Sequence, residues 1–178
     1  MKRALSLIGL AGLFVVLNGC RNPFLPASDV FISYLYGPNE AGEVSVYSAE
    51  SGGTMFSISN YRSFAAFVVR NKVGINITSL TMVYTDMAGN QVTEYSKSGG
   101  KSFKMYTRLY PVQSNSEFSA GEGRVTTVDF YPVDRRVITE LATVSSNTIN
   151  CLLVFRGEDD TGHDIRLSAS ITIKGYGF

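Results

Sequence analysis

The chain has 178 residues, with 16 Lys plus Arg against 15 Asp plus Glu, so it lacks the net field that would gather nucleic acid or a strongly anionic surface from a distance. Without an N-terminal leader, enough sequence remains for one domain with its own core. Hydrophobic residues at 44% fit a folded protein, and the wealth of Tyr, Phe, Val, Ile, Thr and Ser favours strands over helices.

Lys2 and Arg3 precede an uncharged run from Ala4 to Leu17. That run is shorter than the roughly 18 to 20 residues that cross a hydrocarbon core, and it reads as the apolar part of a secretory signal. It ends in Leu17-Asn18-Gly19-Cys20. This tetrapeptide resembles the lipobox of bacterial lipoproteins: Leu17 and Gly19 match its aliphatic and small positions, while Asn18 departs from the usual small or hydroxyl residue. The resemblance implies a signal peptide over residues 1–19, cleavage before Cys20, a diacylglycerol on the Cys20 sulfur and often a further acyl chain on its amine. Each buried methylene contributes about 0.8 kcal/mol, so two or more chains hold a protein on a membrane without a transmembrane helix. Arg21 stands where enteric lipoproteins retained at the inner membrane carry Asp, so the resemblance implies the outer membrane or cell surface of a bacterial envelope. Two prolines and no strand alternation mark Arg21 to Ser28, and residues 20–29 read as the lipidated cysteine with its tether.

Residues 30–178 then read as one β-sandwich domain. Strands are expected at Val30 to Tyr36, Val44 to Tyr47, Phe64 to Arg70, Ile77 to Thr85, Gln91 to Tyr95, Phe103 to Tyr110 and Val125 to Tyr131, with Asp86 to Asn90 as a turn. Val137, Ile138 and Leu141 recur at helical spacing behind an Asp134 N-cap, which predicts a short helix over 134–142. Asn150 to Arg156 is apolar on both faces and reads as a central strand. In the last strand Ile165, Leu167, Ala169, Ile171 and Ile173 alternate with Arg166, Ser168, Ser170, Thr172 and Lys174, so one face is buried and the other wet.

From Phe64 to Ile173, the turn Asp86...Gly89-Asn90, the helical corner, Phe155-Arg156-Gly157-Glu158-Asp159-Asp160-Thr161-Gly162 and the alternating final strand together resemble bacterial immunoglobulin-like or fibronectin-III-like modules. The resemblance implies an all-β, immunoglobulin-like two-sheet sandwich that acts as a spacer or binding surface. The disulfide and core tryptophan of antibody domains are absent, since the chain has no Trp and Cys151 is its only cysteine besides Cys20.

Little in the domain suggests catalysis. The single histidine, His163, lies in a turn, no glycine-flanked nucleophile elbow occurs, and Cys151 in an apolar strand reads as a small hydrophobe. Glu158, Asp159, Asp160 and Asp164 are carboxylates suited to calcium, but they do not have EF-hand spacing and sit where solvated turn acids are ordinary. Ser51-Gly52-Gly53, Ser98-Gly99-Gly100 and Gly121-Glu122-Gly123 lack the lysine of a phosphate loop and read as turns. Neither a cofactor, a metal nor nucleic acid is expected. Lys104, Tyr106, Arg108 and Tyr110 share one strand face, and tyrosines interleaved with cations suit a protein or glycan partner. The expected function is therefore a membrane-anchored, non-enzymatic binding module, with an assembly accessory of a larger envelope complex as the alternative.

Overall fold

The computed structural model describes residues 25–37, 42–47, 61–111 and 124–177. Among these, eight strands form an all-β sandwich of two sheets: β1 (Val30–Tyr36), β2 (Glu43–Tyr47), β3 (Ser63–Val69), β4 (Ile75–Thr85), β5 (Lys101–Leu109), β6 (Arg124–Phe130), β7 (Thr148–Asp159) and β8 (Asp164–Tyr176). The order is β1-β3-β6 in one sheet and β2-β8-β7-β4-β5 in the other. Only β2 runs parallel to its neighbour, β8. Consecutive strands pair within a sheet only at β4–β5 and β7–β8; every other connection between successive strands crosses the sandwich and so ties the sheets together. The crossing after β1 passes Gly37, where a Cβ would collide with the Glu43 carbonyl, so a side chain there would push the two segments apart.

The period of two in β8 places Ile171 and Ile173 in the core, with Ile165 and Leu167 partly buried against it. As its two apolar faces led us to expect, β7 lies centrally between β4 and β8. Phe155 of β7 meets Phe67 of β3 edge-to-face at 4.9 Å and Phe130 of β6 at 6.4 Å, joining the two sheets without tryptophan or disulfide. Burying each such ring contributes about 1.5–3 kcal/mol. A stacked pair of irregularities bends this sheet: Ile77 pairs with Gly157 and Thr107, whereas Leu80 pairs with Phe155 and Phe103. Each strand from β7 outward thus fits one more residue between the same two rungs, so the β5 edge follows the longer path and the sheet curls. Gly157 lies at this level, and a Cβ there would collide with the Asn76 carbonyl.

The predicted helix is present as Arg135–Thr143. Asp134 caps it, accepting from the amides of Arg136 (3.0 Å) and Val137 (3.1 Å), while Val137 and Leu141 are buried beneath it. Such a cap stabilises by about 1 kcal/mol. Gln91 to Tyr95 does not form the expected strand. After one bridge, Thr85 with Gln91, the chain turns into a short helix, Glu94–Lys97. Thr93 and Ser96 are the cause: the Ser96 amide donates to Thr93 Oγ1 (3.2 Å), and Ser96 Oγ accepts the Tyr84 amide (2.6 Å). Local hydroxyl bonds of this kind compete with a strand ladder.

Candidate functional site

Lys104 and Tyr106 on β5 and Tyr110 just past its end are exposed, Tyr106 by 88%. Arg108 is half-buried and grips both Asp160 oxygens at 2.6 Å while donating to Asn76 Oδ1 at 3.1 Å. Its guanidinium holds the Asp160 carboxyl below the usual carboxylate range, and Asp160 in turn raises Arg108. The Tyr110 ring lies 4.7 Å beneath the Arg124 guanidinium. Two of the four residues are therefore engaged inside the domain, and Lys104 and Tyr106 project from it. Cys20 lies outside the described residues, as do the glycines at 52–53 and 121–123; Ser98 to Gly100 forms a turn with positive φ at both glycines. Cys151 is fully buried, and burial pushes its thiol up to about 12, so it packs as a protonated apolar group.

The acidic turn after β7 binds the domain to its own lead-in. Asp159, whose side chain is wholly buried, accepts from the Thr161 amide (2.9 Å), the Thr161 hydroxyl (2.7 Å), the His163 amide (2.9 Å) and the Ser28 amide (2.9 Å). Burial alone would raise its pKa, but these bonds outweigh burial and hold the carboxyl well below its ordinary range. Asp160 also accepts the Gly74 amide at 3.0 Å. Further bonds fix the lead-in, the shortest being Ser28 Oγ to the Val73 carbonyl (2.9 Å), Asn71 Nδ2 to the Ala27 carbonyl (2.9 Å) and the Arg70 amide to the Asp29 carbonyl (2.8 Å). On His163, Thr161 and Asp159 both approach Nδ1, at 2.7 and 3.3 Å. A nucleophile relay needs its hydroxyl and its acid on opposite ring nitrogens. Among the described residues, no three His, Cys, Asp or Glu side chains converge on one point.

A different surface gathers aromatic residues. In β1, Val30, Ile32 and Leu35 pack against the core, and a register shift at Ser33 preserves that face while Phe31, Tyr34 and Tyr36 turn outward. The outer rungs of the three-stranded sheet are then Phe31–Val68–Val125, Tyr34–Ala66–Thr127 and Tyr36–Phe64–Asp129. Tyr36 stacks on Phe64 at 5.2 Å and on Tyr34 at 5.9 Å. Arg70 covers Phe31 at 4.4 Å, and Arg62 pairs with Asp129 at the opposite end. Tyr34 and Val125 stay 45% and 59% exposed, although Ala66 and Val68 between them are buried. The sequence carries a signal for this surface: VFISYLY and SFAAFVV hold large apolar residues at both parities of a strand, which marks two covered faces.

Between the edges of β5 and β6 runs an apolar groove of about 310 Å³, floored by Leu80, Met82, Phe103, Met105 and Phe130, with the Lys101–Asp134 ion pair (2.7 Å) at its rim. No protein-family model matches the chain, and no curated protein matches it either.

Proposed function

We propose that this chain is a lipid-anchored module of the bacterial envelope, at the outer membrane or cell surface, that binds a protein partner and catalyses no reaction. Its strand order supports the immunoglobulin-like reading, with β1-β3-β6 facing β8-β7-β4-β5 and β2 added parallel to β8. The observation that carries the binding role is the aromatic outer face of the three-stranded sheet. A sheet at the surface of a free domain ordinarily turns polar residues to water; large rings with arginines at the rim are the composition of a protein interface. Tyr34, Tyr36 and Phe64 use their ring faces on one another, which favours a protein over a sugar that would need a free ring face to stack on. The test is a photo-crosslinking residue at position 34 or 106 of the full-length protein in a bacterial envelope. An adduct of defined mass from 34 and none from 106 supports the reading; the reverse pattern moves the interface to β5. Anchoring is checked by intact mass and detergent partitioning beside Cys20→Ser.

An accessory role in assembling a larger complex draws on the groove, whose flanking strands β5 and β6 have no further strand partner among the described residues. Open edges beside an apolar slot accept an added strand. A partner of fixed stoichiometry in detergent extracts would favour it.

A further inference from the structure

The bonds that hold Ala27, Ser28 and Asp29 all lie at one end of the sandwich. The rungs Val30–Val69, Val69–Arg124, Ile75–Leu109 and Ile75–Asp159 mark that end, together with the turns at 70–74 and 159–163. At the other end lie Thr85 opposite Asn150, the turn at 86–90 and the Val144–Asn147 turn after the helix. The 12 residues of β7 separate the two ends by about 40 Å.

Six residues, Arg21 to Pro26, stand between Cys20 and the clamped Ala27. Even fully extended they reach only about 20–25 Å. Peeling the lead-in away would strip the Ser28 amide from a buried carboxylate, leaving part of that charge unsatisfied. The short reach is therefore built into the folded domain.

We infer that the turns at 70–74 and 159–163 form the end of the domain that faces lipid headgroups, and that the 86–90 end faces away. This rests on the lipid-anchor reading above and adds to it the surface that meets the membrane. The β5–β6 groove, lined by Lys101 and Phe103 to Met105 on one side and by Asp129 to Tyr131 on the other, then opens on the half away from the bilayer.

The test uses the full-length acylated protein in phosphatidylethanolamine–phosphatidylglycerol vesicles with a nitroxide quencher on the headgroup. A fluorophore is placed at Lys72→Cys or at Ala88→Cys, both exposed positions, and buried Cys151 stays unlabelled. Quenching several-fold stronger at 72 than at 88 is expected. Protein that floats with the vesicles but is quenched equally at both sites, or more at 88, overturns the orientation and leaves the anchor standing. Protein that does not float removes the anchor and the orientation with it. Ser28→Pro takes both donors from the lead-in without touching the core, and Asp159→Asn weakens the acceptor. Either variant should shrink the difference between the sites, and an undiminished difference in a folded Ser28→Pro protein would overturn the clamp as its cause.

Discussion

The two outer faces of this sandwich obey different rules. Across the five-stranded sheet, the rungs read Ser168–Val154–Thr81–Ser102 and Arg166–Arg156–Ser79–Lys104, and the neighbouring outward rung carries Asp164 and Glu158. Its side chains are mostly short or charged, and the acids of one rung offset the cations of the next. The three-stranded sheet turns Phe31, Tyr34, Tyr36, Phe64 and Val125 outward instead, around buried Ala66 and Val68. Both faces belong to antiparallel pairings over the same core, so folding alone does not demand the second composition. An apolar face that the core does not require is the surface on which the proposed partner would sit.

The comparison is broken most severely at the core that both faces share. Phe155→Ala removes a ring wedged against Phe67 and Phe130 and is expected to cost about 3–5 kcal/mol in urea unfolding. Phe64→Ser, on the outer aromatic face, should cost only about 1–2 kcal/mol, because that ring is only partly buried. If the two variants lose equal stability, the outer rings are a second core and the argument for a partner fails.

After Phe155→Ala, the next in size is Asp159→Asn, expected to cost about 2 kcal/mol because several donors lose a charged acceptor. Asp159 joins β7 of one sheet to the lead-in of β1 in the other, so it measures how far the ends of the two sheets act together. Its folded pKa lies below the unfolded one, so the unfolded chain binds the extra proton between those two values. This contribution is therefore fully present above the ordinary carboxylate pKa, near 4, and fades as pH falls below it. Urea midpoints from pH 6 down to pH 2.5 should drop more steeply for wild type than for the variant; parallel curves would exclude Asp159 as the group responsible.

How much of this was readable in the sequence follows from how far each feature's partners stand along the chain. The alternation of β8, the central place of β7 and the Asp134 cap depend on neighbours a few residues away, and composition exposes them. Gln91 to Tyr95 misled because Ser96 takes the Tyr84 amide across the turn, and residue type alone gives no sign of that bond. The role of the acidic turn was out of reach: Asp159 finds Ser28 at a separation of 131 residues, and isolated carboxylates in a turn look solvated. Arg108 belonged to the predicted binding face by parity, but its partner Asp160 is 52 residues away. The aromatic face was visible in part, since β1 and β3 lack polar alternation, yet only strand pairing shows that their outward rings share a surface.

Tyr34→Ser should leave stability within about 1 kcal/mol of wild type while lowering the crosslink yield from neighbouring positions on the three-stranded sheet, read by mass spectrometry of the adduct. Unchanged yield would mean that Tyr34 is not an anchor of the interface.

The smallest effect belongs to Tyr106→Ser. Tyr106 is 88% exposed on the polar face, so removing its ring gives up almost no buried area, and stability should stay within about 0.5 kcal/mol. Partner crosslinking through the three-stranded sheet should be unchanged as well, because β5 and β1 lie in different sheets. Lost crosslinking without lost stability would place a binding anchor on β5 beside Lys104. The polar face would then be the functional one, and the apolar rungs opposite would need another explanation.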